Sequence, residues 1–221
     1  MIIDEISGIR IPDSQLARDV TQFIRDTESD LLFHHSARVY LWGMFAGMRK
    51  GLSVDPELFY TAAMFHDVGL TAGFRDSQMR FEVDGANAAR DFLRGRGIGD
   101  ADIAKVWLAI AIHTTPGIPQ HLDPIAALTA EGVMMDIVGL GFGDFTDDER
   151  RAVAAAFPHP PHFVEDFLQA LYDGLAHRPQ TTQGTGLADV MVDKDPHFHR
   201  RDFCGLMRAS PWAGPGQAGA A

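Results

Sequence analysis

The chain has a single cysteine, Cys204, so no disulfide can close within it. That suits a reducing compartment, and a cytoplasmic location is expected. It lacks any apolar run of about 18 residues, the length a membrane-crossing helix needs. Cations are scarce: 19 Lys and Arg stand against 30 Asp and Glu, giving a net charge of −11. Such a balance repels phosphate backbones and anionic lipid, so neither nucleic acid nor a membrane is expected as a partner. A small anionic substrate is not excluded, because a site needs only one or two local cations. The first ten residues include Asp4 and Glu5 and lack the basic start and apolar centre of a secretory signal. No Gly-rich phosphate loop follows a strand, and no Ser or Cys nucleophile motif is present. No stretch alternates apolar and polar residues for long enough to predict a sheet, and there is no internal repeat.

Hydrophobic residues make up 46% of the 221, enough to build one sizeable core without cross-links. Proline and glycine divide the chain into segments that read as helices. Residues 13–27 place Leu16, Val20, Phe23 and Ile24 at helical spacing. A second helix spans about 31–48. Asp55-Pro56-Glu57 is a strong start signal, with an N-cap acid, proline in the first turn and an acid beside it. That helix is expected to reach His66-Asp67, with Gly69 helping to end it. Residues 70–80 read as a loop and 83–94 as a helix. Asp100 caps a helix to about His113, and 114–119 form a loop. Asp123-Pro124 repeats the start signal for a helix to about Val138. Two more helices cover 147–157 and 161–177. The expectation is an all-α, single-domain helical bundle. Residues 1–29 form a helical N-terminal extension, 30–180 the main domain and 181–221 a C-terminal extension. The chain should be poorly structured from about Arg178 and disordered over 211–221.

The residues that carry chemistry begin with His66-Asp67, at the end of the apolar run Leu58-Phe59-Tyr60-Thr61-Ala62-Ala63-Met64-Phe65. Neighbours on a helix point about 100° apart, so this pair can flank one point only from a helix end. A divalent cation supplies such a point, and imidazole nitrogen with carboxylate oxygen suits Zn, Fe, Mn or Ni. The bland alternative is a buried histidine satisfied locally. His35 lies among Leu31, Leu32, Val39 and Trp42, and His113 ends a helix of Val106, Trp107, Ile110 and Ile112. Asp136 stands inside Gly132-Val133-Met134-Met135-Asp136-Ile137-Val138, where an acid must be paired or metal-bound. Each has an ordinary structural reading alone. Together, on separate apolar helices, they point to one site.

In this arrangement the chain resembles the HD-domain superfamily of metal-dependent enzymes: a His, a His-Asp pair and a later Asp on separate helices. The local sequences His34-His35-Ser36-Ala37-Arg38-Val39-Tyr40 and Ala63-Met64-Phe65-His66-Asp67-Val68-Gly69 resemble those of its cyanamide hydratase-like branch. So do Phe81-Glu82-Val83-Asp84-Gly85-Ala86 and Ala109-Ile110-Ala111-Ile112-His113-Thr114. The resemblance covers roughly residues 30–180. It implies an HD-type helical bundle binding one divalent transition metal, zinc first, through His35, His66, Asp67 and Asp136. Dinuclear members add further histidines. His113 matches one, but Phe81 and Glu82 stand where the other belongs. His113 and Glu82 are therefore expected to face the substrate without holding metal.

A metal so held would activate water as a nucleophile, with Asp67 or His113 handling protons. Arg38, three residues after His35, is a candidate substrate anchor; a structural ion pair is its competing reading. Arg75 and Arg80 lie in the loop after the central motif. The aromatics Trp42, Phe65, Phe74, Phe81 and Trp107 suggest a small, dry pocket. The leading expectation is a hydrolase or hydratase acting on a small molecule. The alternatives are a phosphohydrolase acting on a phosphoester or nucleotide, a di-iron oxygenase, and a metal-stabilised binding domain without catalysis. Homo-oligomerisation is left open.

Overall fold

Acids, prolines and hydroxyls open most helices of the computed structural model, which describes residues 5–210. Helix α1 (Gln15–Thr27) starts from Ser14, whose side chain accepts from the Ala17 N–H, and α2 (Asp30–Lys50) starts from Ser29. Asp55 caps α3 (Pro56–Phe65) by accepting from the N–H groups of Glu57 and Leu58. Asp123 does the same for α6 (Pro124–Val138) through the Ile125 N–H. In each, proline sits in the first turn, where its missing N–H leaves no broken bond. Helices α4 (Phe81–Arg94) and α5 (Asp100–Ile112) lie between them; Gly99 occupies the cap position of α5 and Asp100 its first turn. A capping box of Thr146 and Glu149 opens α7 (Asp147–Ala156), and α8 (Phe163–Leu175) follows.

The fold is all-α, as the sequence predicts. The one sheet among the described residues is a two-residue ladder of β1 (Glu5–Ile6) and β2 (Ile9–Arg10). Ser7 and Gly8 turn it with positive φ, and two paired residues are too short to leave an alternating pattern. The segment after Arg178, expected to be poorly structured, carries α9 (Leu187–Lys194) and α10 (Phe203–Arg208). The expectation of disorder over 211–221 falls outside the described residues. No helix among the described residues is long and apolar enough to cross a membrane.

Helix α2 is the axis of the bundle. It is buried on nearly every side, as a helix apolar all round must be. Its closest neighbour is α6. At their crossing Gly132 faces the Val39 carbonyl so closely that a Cβ there would collide with it. Four residues on from Gly132 is Asp136, and four back from Val39 is His35. The crossing therefore lays Asp136 against His35 one turn away. A second tight approach holds the turn after α3, where a Cβ on Gly69 would strike the Phe81 backbone. Gly69 is required by this contact with α4.

Two apolar clusters divide the interior. The main core joins α1 to α6. A smaller one, built from Leu32, Leu70, Phe81, Phe167, Leu171 and residues of α9, closes the N-terminal end of α2. Arg178 pins this cover. Its enclosed guanidinium pairs with Asp84 and donates to the carbonyls of Gly69, Met79 and Gly174. Burying that cation is tolerable because its donors are so widely matched.

Candidate metal centre

His66 and Asp67 stand just past the last residue of α3. His66 keeps helical angles, but Asp67 has φ −103° and ψ 1°, which turns the chain out of the helix. That break lets adjacent side chains converge. His66 Nε2 lies 3.3 Å from Asp67 Oδ2. His35, from α2, brings its Nε2 to 3.1 Å from His66 Nε2 and 3.6 Å from Asp67 Oδ2. His113, just past α5, places its Nε2 3.8 Å from Asp67 Oδ1. All four residues are buried.

The opposite edge of each ring fixes its chemistry. His66 Nδ1 donates to the Ala63 carbonyl and His113 Nδ1 to the Ile110 carbonyl, both at 2.7 Å. A carbonyl only accepts, so both Nδ1 atoms carry the proton. His35 Nδ1 faces Asp136 Oδ2 at 2.7 Å. All three imidazoles thus turn an Nε2 lone pair inward. Two such lone pairs 3.1 Å apart repel unless a cation or proton lies between them. Donors about 2.1 Å from one ion stand roughly 3.0–3.4 Å apart, so His35, His66 and Asp67 fit a divalent transition metal in kind and spacing.

The protonation pattern agrees. Burial opposes ionisation of Asp67, but His66, His35 and His113 hold its carboxyl well below the usual carboxylate range. Burial depresses His35, even with Asp136 behind it. Burial acts the same way on His66, yet Asp67 and the Ala63 carbonyl outweigh it and raise that ring. Of the three rings, His66 is thus the one drawn toward protonation, at the place where a cation would sit. His113 is pushed down to about 4, chiefly by burial and then by His66.

Asp136, expected among the ligands, lies behind His35, on the ring edge away from His66. Arg38 grips both of its oxygens, Nε to Oδ1 at 2.7 Å and an Nη to Oδ2 at 2.9 Å. The Trp42 indole N–H donates to Oδ1 at 3.0 Å, and His159 Nε2 is 3.4 Å from the same oxygen. Burial works against this carboxylate, but His159, His35 and Arg38 hold it well below its ordinary range. The His35 ring thus stands between Asp136 and the His66–Asp67 pair. Arg38, the candidate substrate anchor, is fully enclosed here. Its other Nη reaches the carbonyls of Phe157 and Pro158, so the structure places it in the ion pair that was its competing reading. Glu82 is buried beside Thr114, which donates to it, and Arg80 pairs with it. Burial opposes its ionisation, but Arg80, His113 and Thr114 keep it ionised.

Sequence reasoning missed two residues here. His159, among the prolines before α8, reaches Asp136. Glu28, at the junction of α1 and α2, is buried and was not singled out by any sequence pattern. Helix α8 supplies the cover: the Phe167 ring meets His35 edge-on at 4.7 Å.

The HD domain family model matches residues 32–157, more than half of the chain, while no curated protein matches it. Members of this family are generally hydrolytic and bind divalent metals. The matched span covers the helices that bring His35, His66, Asp67 and Asp136 together, and the chain belongs to the HD domain family.

Proposed function

We propose that the protein is a hydrolase or hydratase that uses one divalent transition cation, zinc first, to convert a compact, mostly uncharged small molecule. The observation that carries this reading is the pair of inward Nε2 atoms of His35 and His66, 3.1 Å apart beside the Asp67 carboxylate. His35, His66 and Asp67 would hold the cation, with Asp136 locking the His35 ring from behind. A bound cation would lower the pKa of a neighbouring water and polarise an electrophile. His113 is neutral at physiological pH and its Nδ1 is tied to Ile110, so its Nε2 is the atom free to take a proton. Asp67 Oδ1 faces that nitrogen and keeps it directed inward. Phe167 against His35 and Phe81 against His113 exclude bulk water.

Two facts support a neutral substrate. Arg38 and Arg80, which reach acids beside the centre, are already paired with Asp136 and Glu82. The local sequences also resemble the cyanamide hydratase-like branch, which points to a compact nitrile. The charge balance and single cysteine support a cytoplasmic enzyme without nucleic acid or membrane partners. A phosphohydrolase is the second reading: a cleft of about 410 Å³ opens beside Asp136, lined by Trp42, Met135 and Phe142, and Arg150 and Arg151 in its walls would have to exchange their partners Asp147 and Asp148 for a phosphate.

Metal analysis with a substrate screen separates these readings. Purified protein should hold about one cation per chain and turn over cyanamide or a simple nitrile. Nucleotide hydrolysis that disappears in Arg150→Ala, without turnover of neutral substrates, would replace this reading with the phosphohydrolase. Two irons per chain would replace it with the oxygenase.

A further inference from the structure

The turn that carries the chain away from Asp67 is a single 3-10 turn, Val68–Leu70. Two main-chain bonds close it, from the Leu70 N–H to the Asp67 carbonyl at 2.9 Å and from the Thr71 N–H to the Val68 carbonyl at 3.0 Å. So short a helix does not keep its shape unaided. Backbone presses on it from two sides. Gly69 lies against Phe81 at the start of α4, and Leu70 lies against Gly174 in α8, so closely that a Cβ on either glycine would collide. Both glycine carbonyls accept from one side chain, Arg178, three residues past the end of α8. The same buried guanidinium donates to the Met79 carbonyl at 2.8 Å and pairs with Asp84, whose other oxygen accepts from the Ser77 hydroxyl.

Asp67 depends on this turn. Its carboxylate meets His66 at 3.3 Å and His35 at 3.6 Å only because the chain leaves the helix at Asp67; a continued α3 would point His66 and Asp67 about 100° apart. Without the guanidinium, the Gly69 carbonyl would be enclosed with no donor, and the turn would have to rotate to satisfy it. Asp67, two residues back, would move with it. We infer that Arg178 is a positioning residue of the metal centre: it fixes the turn after α3 so that the Asp67 carboxylate faces His35 and His66, and it ties that turn to the covering helix α8. The family match ends at residue 157, so this restraint comes from beyond the shared span. The inference rests on reading the cluster as a metal centre.

Arg178→Met removes the guanidinium and keeps an apolar stem. In the metal-free protein, hydrogen exchange at the Leu70 and Thr71 amides should speed up. Cobalt(II), which suits the same donors and reports its geometry in the visible spectrum, should bind about 10–100-fold more weakly and with shifted bands. Leu93→Ala is the control. It opens a cavity in the main core at the far end of α4 from Phe81, so it lowers stability without touching the turn. It should keep the wild-type cobalt affinity, bands and exchange at Leu70 and Thr71. If Arg178→Met does not fold, Arg178→Lys takes its place: it keeps a cation for Asp84 but lacks the fork that serves Gly69 and Gly174 together, and should show the same changes. Wild-type affinity and bands in the folded Arg178 variant, or equal losses in Leu93→Ala, overturn the inference. A wild type that binds no cobalt overturns the metal-centre reading instead, and exchange at Leu70 and Thr71 then decides whether Arg178 sets the turn.

Discussion

The two edges of the His35 ring face opposite surroundings. On the Nδ1 edge, Asp136 is matched by His35, Arg38, Trp42 and His159, and Arg38 in turn by two backbone carbonyls. Donors and acceptors balance there, and the network is complete without anything added. On the Nε2 edge, two imidazole nitrogens and a carboxylate meet with no further side chain or backbone N–H donating to them. The two regions share residue types, burial and a helix. Burial of charged groups therefore does not single out the candidate site in this molecule; an imbalance of acceptors over donors does.

The largest expected contrast between the two edges is in metal retention. His66→Ala should lose the cation altogether, while Asp136→Asn should weaken binding by about 10–100-fold, the usual cost of disturbing a partner behind a ligand. Metal content after gel filtration and competition with a chelator measure both. Complete loss in Asp136→Asn would make Asp136 a direct ligand and erase the distinction drawn between the edges.

Stability should respond in the opposite order. Arg38→Met leaves Asp136 buried without its main counter-charge and should cost about 3–5 kcal/mol. Urea unfolding measures this, and the double variant Arg38→Met, Asp136→Leu should recover most of the loss. His66→Ala removes one of two facing lone pairs and should cost the metal-free protein far less. A larger loss for His66→Ala than for Arg38→Met would show that the Nε2 edge is the structural one.

The smallest effect is a pH slope. His113 drops from 6.5 in the unfolded chain to about 4 in the fold. The unfolded state then binds more protons than the folded one between those values. Stability contributed by the neutral ring is full above about 6.5 and is lost as pH falls toward 4. The slope from this group is at most about 1.4 kcal/mol per pH unit. Unfolding of the metal-free protein across that window should be flatter in His113→Gln. An unchanged slope would mean the ring is charged in the fold.

Much of the fold was legible because its signals are local. Asp55-Pro56 and Asp123-Pro124 announce α3 and α6 within a few residues. His66-Asp67 at the end of an apolar helix shows where two adjacent side chains can converge. The partners of Asp136 were not legible. They depend on how closely α2 and α6 cross at Gly132, about a hundred residues after His35, and no local pattern records a crossing distance. Arg38 could be named as a candidate, but which acid it meets is set by the same crossing. Glu28 stood at a helix junction, where acids are usually solvated. Arg178 lay in a stretch rich in Gly, Thr and Pro, yet it is bound by backbone carbonyls, which leave no trace in side-chain pattern.

The cover formed by Phe167 and the second apolar cluster lies mostly beyond the span shared with the family, and it bears on exchange rates. A cation held at His35 would lie beneath the Phe167 ring, and the parting of helix α8 from α2 would be a route for its release. Release would then be governed by how often that opening occurs, with affinity entering only afterwards. The ion carried by a purified sample would reflect which metal was abundant while the chain was folding, so growth medium becomes an experimental variable in its own right.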